Sequence, residues 1–138
     1  MKLYSLFVAI LALVLSVSCT KESLPIPELF SSAEEVKIKT YSNTPAFELT
    51  WKLNGGSVDV AKTYIQFSND KEFITTYAAS ASGNSYLVTC RDIQKMNAEF
   101  GETSDFTLYV RLLVEDKVEG RVAESVYSKK ITINVDLP

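Results

Sequence analysis

Apolar and polar residues alternate with a period of two along most of the chain after residue 34. Val36 and Ile38 alternate with Lys37 and Lys39. Phe47, Leu49, Trp51 and Leu53 alternate with Glu48, Thr50 and Lys52. Thr63, Ile65 and Phe67 alternate with Tyr64, Gln66 and Ser68, and Tyr86 and Val88 flank Leu87. The longest run is Phe106, Leu108, Val110, Leu112 and Val114, and Ile131, Ile133 and Val135 close the pattern. Successive side chains of a strand point to opposite faces, so each run predicts a strand buried on one side. A short edge strand is expected within 73–80, around Phe73, Ile74 and Tyr77. Asn54-Gly55-Gly56, Asn69-Asp70, Gly83-Asn84 and Gly120 punctuate the runs as turns.

One segment breaks the pattern. From Asp92 to Phe100, Ile93, Met96 and Phe100 fall on one helical face, Asp92 is placed to cap the start, and Gly101 ends it. About seven strands with one short helix predict an all-β immunoglobulin or fibronectin III-like sandwich.

The first residues follow another rule. Lys2 precedes an apolar stretch from Leu3 to Val17, closed by Ser18-Cys19. A charged start, a short apolar run and a small residue before the cut form a secretory leader. The run is shorter than the roughly 20 apolar residues of a spanning helix, the competing reading. A cysteine directly after the small residue points to a lipoprotein leader, with residues 1–18 removed and the Cys19 thiol acylated. Ser16-Val17-Ser18-Cys19 departs from the common lipobox in having Ser16 where an aliphatic residue usually stands. Residues 19–33, with Pro25 and Pro27 among small polar residues, are expected to be a tether, and 34–138 the domain.

Charge and chemistry narrow the function. The net charge of −3 disfavours nucleic acid or an anionic membrane surface as the main partner. With Cys19 acylated, Cys90 has no partner in the chain and is expected to be a buried apolar thiol. The chain contains no histidine to activate a serine or cysteine nucleophile. Glu34-Glu35 is a charged strand start, not an acid/base pair across a cleft. Asn69, Asp70 and Glu72 are oxygen-rich but lack a calcium-ligand spacing, Gly55-Gly56 alone is a turn, and Arg91, Arg111 and Arg121 are scattered. No enzyme, metal or cofactor is therefore expected. Trp51 shares a face with Leu49 and Leu53 and is expected in the core. Tyr64, Tyr77 and Tyr109 are left as candidate surface aromatics, with Tyr64 and Tyr109 the candidate sugar-stacking pair.

The Trp51 strand, Val110-Arg111-Leu112 and Val126-Tyr127-Ser128 before Ile131-Thr132-Ile133 resemble a fibronectin III or immunoglobulin-like domain, with Leu108 where the tyrosine corner would stand. With the leader ending in Cys19, Thr63-Tyr64-Ile65-Gln66-Phe67-Ser68 and Ile93-Gln94-Lys95-Met96-Asn97, the order resembles the N-terminal domain of SusE/SusF-type outer-membrane lipoproteins of Bacteroidetes. That resemblance implies a lipid-anchored accessory of a polysaccharide-utilisation system, with glycan-uptake proteins as partners. In that family starch is held by further modules that follow this domain. The expectation is therefore a non-catalytic scaffold or spacer at the outer membrane; the alternative is a small carbohydrate-binding module using surface tyrosines.

Overall fold

The computed structural model describes residues 23–138, except 57–59, 61 and 119–120. Among the described residues, nine strands and one helix follow in order. They are β1 (Ile26–Ser31), β2 (Glu35–Lys37), β3 (Pro45–Asn54), β4 (Lys62–Ser68), β5 (Thr76–Ala81), β6 (Ser85–Thr89), α1 (Cys90–Phe100), β7 (Phe106–Val118), β8 (Arg121–Tyr127) and β9 (Ile131–Asp136). One sheet has the order β1-β3-β6; the other runs β2-β9-β7-β4-β5, with β8 also paired to β7. The two layers make an all-β sandwich of the immunoglobulin or fibronectin III-like class.

Four of the nine segments are halves of two interrupted strands, which reconciles them with the expected seven or so. β1 pairs antiparallel with β3, whereas β2, a few residues on, pairs parallel with β9 in the opposite sheet. Between them Ser31 Oγ donates to the Ala33 carbonyl and accepts from the Ala33 N–H, turning the chain from one layer to the other. β8 and β9 lie end to end on the same side of β7. The break falls at Ser128, whose Oγ accepts from the Leu112 N–H at 2.8 Å while its own N–H donates to the Leu112 carbonyl.

The core is the one the alternation predicts. Leu49, Ile65, Phe67, Val88, Leu108, Val110, Leu112, Val114, Ile133 and Val135 are buried between the sheets. Phe67 spans the layers, 6.2 Å from the Tyr77 ring within its own sheet and 6.5 Å from Tyr86 in the other. Trp51 is 5% exposed in this cluster, as its strand phase requires. Leu53 departs from the expected pattern: it lies at the end of β3, past the cover of the opposite sheet, and is 40% exposed.

Helix α1 closes one end by packing Ile93 and Met96 against the core. Its cap is Thr89, not Asp92. Thr89 Oγ1 accepts from the Asp92 N–H at 3.1 Å, and the Asp92 carboxylate accepts from the Thr89 N–H at 2.9 Å. This reciprocal capping box starts the helix earlier than a cap at Asp92 would, and draws Cys90 into its first turn, where it is buried. Gly101, at φ 72°, ends it as expected.

The expected tether is shortened. Residues 26–31 of the 19–33 segment form β1, and Leu24, Pro25, Pro27 and Leu29 are buried. β1 is an outer strand of its sheet, where proline is tolerated. Pro27 thus sits on the buried side of the strand, and Pro25 is buried just before it.

Candidate functional site

The outer face of the larger sheet carries the polar and aromatic side chains that the alternation leaves out of the core. Register places Tyr64 opposite Leu113, Gln66 opposite Arg111, and Ser68 opposite Tyr109. Tyr64 and Tyr109 therefore share this face, both half-buried. They stand four positions apart along adjoining strands, about 13 Å at 3.3–3.4 Å per residue. The Gln66–Arg111 pair lies between them, so the fold does not bring the two tyrosines side by side. Tyr77 points the other way, into the core beside Phe67.

Arg111 is the centre of this face. Its Nε donates to Gln66 Oε1 at 2.7 Å, and its guanidinium lies 4.0 Å from the ring centroids of both Phe73 and Tyr127. A guanidinium on an aromatic face gains cation–π attraction without giving up its in-plane hydrogen bonds. Phe73 reaches the stack through a turn in which its N–H donates to the Asp70 carbonyl at 3.0 Å and its own φ is 55°, a left-handed conformation uncommon for a bulky residue. Phe73 and Leu113 are buried but lie outside the main core cluster. The stack thus links the β4–β5 loop, β7 and β8 on the outside of the sandwich. Arg111→Ala is expected to lower stability by about 1–2 kcal/mol and to speed amide exchange in residues 69–75, with Arg111→Lys failing to restore either. Unchanged exchange in that loop would show that the stack does not hold it.

The remaining candidates are not gathered into a site, and Asp70 Oδ2 is buried without a hydrogen-bond partner among the described residues. Asn69 Nδ2 donates to Glu102 Oε1 at 2.8 Å, and the Asp70 N–H donates to Ser68 Oγ. Among the described residues no group of three or more His, Cys, Asp or Glu side chains is placed to hold a metal ion. Arg91 Nε donates to Asn43 Oδ1 at 3.1 Å, far along the chain from Arg111. Tyr86 has its phenol pKa raised by burial first, then by the nearby Asp92 carboxylate and Tyr77. Its ring packs against Phe67, so the shift belongs to a core residue.

A groove of about 560 Å³ runs between β1 and β8, lined largely by Ile26, Pro27, Leu29, Tyr127 and Ile131. Tyr127 is 48% exposed at its rim. Sequence reading passed over Tyr127 as a surface aromatic because its partners, Arg111 and Phe73, are distant in the chain. Its register opposite Leu113, two positions from Arg111 on the same face, brings them together, and the strands taken singly do not reveal that register. Cys19, the expected acylation site, lies outside the described residues. No helix among the described residues is long and apolar enough to cross a membrane. No family model matches the chain, and no curated protein or solved structure matches it.

Proposed function

We propose that this protein is a lipid-anchored, non-catalytic scaffold or spacer in a polysaccharide-uptake assembly of the bacterial outer membrane. The observation that carries the reading is the order of its parts: a lipoprotein-type leader ending in Cys19, then an immunoglobulin-like sandwich in which Leu24 is the first buried residue among those described. The SusE/SusF-like order of strand motifs supplies the glycan-uptake context. The sandwich invests its single tryptophan in the core, and its half-buried Tyr64 and Tyr109 are separated along the sheet. Both features favour a scaffold over the alternative of a small carbohydrate-binding module, because sugar rings are held by adjoining aromatic faces with convergent polar groups.

Two measurements test the reading. Stable anchoring takes two membrane signals, which a diacylated cysteine provides. A palmitate analogue fed to producing cells should label the wild type, and Cys19→Ala should lose both label and membrane association. An unlabelled wild type would overturn the lipoprotein assignment. Titration of the mature domain with maltoheptaose should give no saturable heat. A dissociation constant below about 1 mM, or roughly −4 kcal/mol, that disappears in Tyr64→Ala or Tyr109→Ala would replace the scaffold with the binding module.

A further inference from the structure

The entry of the chain into β1 fixes which way an anchored domain faces. Leu24 and Pro25 are buried, and the Gly56 backbone presses on them so closely that a Cβ there would lie 2.5 Å from the Pro25 nitrogen. Only residues 20–23 separate Cys19 from this docked point. Five residue steps span at most about 18 Å when fully extended. Strand β3 alone, at ten residues, is about 33 Å long. With Cys19 in the headgroup layer, the leash is too short to let the opposite end of the sandwich turn towards the lipid.

The end that must face the lipid carries exposed apolar side chains. Ile26, paired with Asn54, is 65% exposed at the start of β1, and Leu53, paired with Pro27, is also open to solvent from the other face of the same sheet. Next to them opens the groove between β1 and β8 with Tyr127 at its rim. Aliphatic groups beside a tyrosine suit the boundary between headgroups and acyl chains. At the far end the most exposed large apolar residue is Ile74, in the β4–β5 loop, at 83%.

We infer that the Leu24 end of the sandwich rests on the lipid surface to which Cys19 is anchored, with Ile26 and Leu53 in the interfacial layer. The inference rests on the lipoprotein reading, and the test separates the two. Residues 19–138 carrying Cys90→Ser are coupled through Cys19 to maleimide-headgroup lipid in phosphatidylethanolamine/phosphatidylglycerol vesicles and footprinted with hydroxyl radicals. The acylated wild-type protein in the same vesicles gives the comparison without the substitution. Oxidation of Ile26 and Leu53 should fall about threefold relative to the uncoupled domain, in keeping with transfer of exposed side chains into the interface, while Ile74 stays unchanged. Ile26→Asp with Leu53→Asp should abolish protection of neighbouring Tyr127. Equal oxidation of Ile26 and Leu53 before and after coupling would overturn the inference while leaving the anchor intact. Protection in the coupled protein, with no acyl chain found on Cys19 from cells, would support the surface and remove the lipoprotein assignment instead.

Discussion

Trp51→Ala is expected to cost about 3–5 kcal/mol, the range for emptying a large aromatic from a packed core. Trp51 is buried in β3 between β1 and β6, opposite Leu29 in register. Alanine would leave a cavity that these neighbours, fixed by backbone pairing on both sides, cannot fill. Urea unfolding followed by circular dichroism measures the loss. As the only tryptophan, Trp51 also reports directly on its site. Its emission should be blue-shifted and resist iodide quenching in the native state. Free quenching would place it on the surface and restore it as a sugar platform.

Gly56→Ala is expected to cost about 2–4 kcal/mol, from two sources. Its φ of 80° is costly for any residue with a Cβ, about 1–2 kcal/mol. The new methyl would also meet backbone atoms of Leu24 and Pro25 that no rotamer change can move. The arm must then lift, giving up part of the roughly 1.5–3 kcal/mol gained by burying a leucine. Gly55→Ala is the control: φ is 70°, but nothing lies within 4 Å of the added atom. Only the conformational cost applies there. The difference should appear in urea midpoints and as faster amide exchange over residues 24–31 in Gly56→Ala alone. Equal losses at both glycines would mean that the arm is not held as described.

Residues of the two core faces were legible because burial on one side writes itself as alternation. β3, β4, β7 and β9 were readable on that ground. β1 was not, although it alternates too: Pro27 and Leu29 face inward, while Ile26, Glu28 and Phe30 face out. Proline reads as a breaker in a sequence, and only the missing neighbour on one side of β1 makes it acceptable in a strand. The helix start was misplaced because either member of a capping box looks like a cap, and Thr89 could pass for the last residue of a strand. The Phe73–Arg111–Tyr127 stack was illegible for a different reason. It joins residues far apart in the chain through a left-handed Phe73, and no local pattern encodes that geometry. Tyr64 and Tyr109 were correctly separable from the core by phase. Their distance from each other depends on the β4–β7 register, which single strands do not reveal.

The path of the first strand has a mechanical consequence. β1 runs antiparallel to β3 over residues 26–31, and its beginning lies at the end of the sandwich where Ser23 and Leu24 lead in. A pull arriving through those residues acts along the strand axis, so it loads the β1–β3 hydrogen bonds in shear, all together, instead of peeling them off one after another. β2, continuing into the opposite sheet beside β9, passes the same load to the second layer. A load entering through β1 would therefore be resisted by both sheets at once, where a flexible linker would simply have stretched.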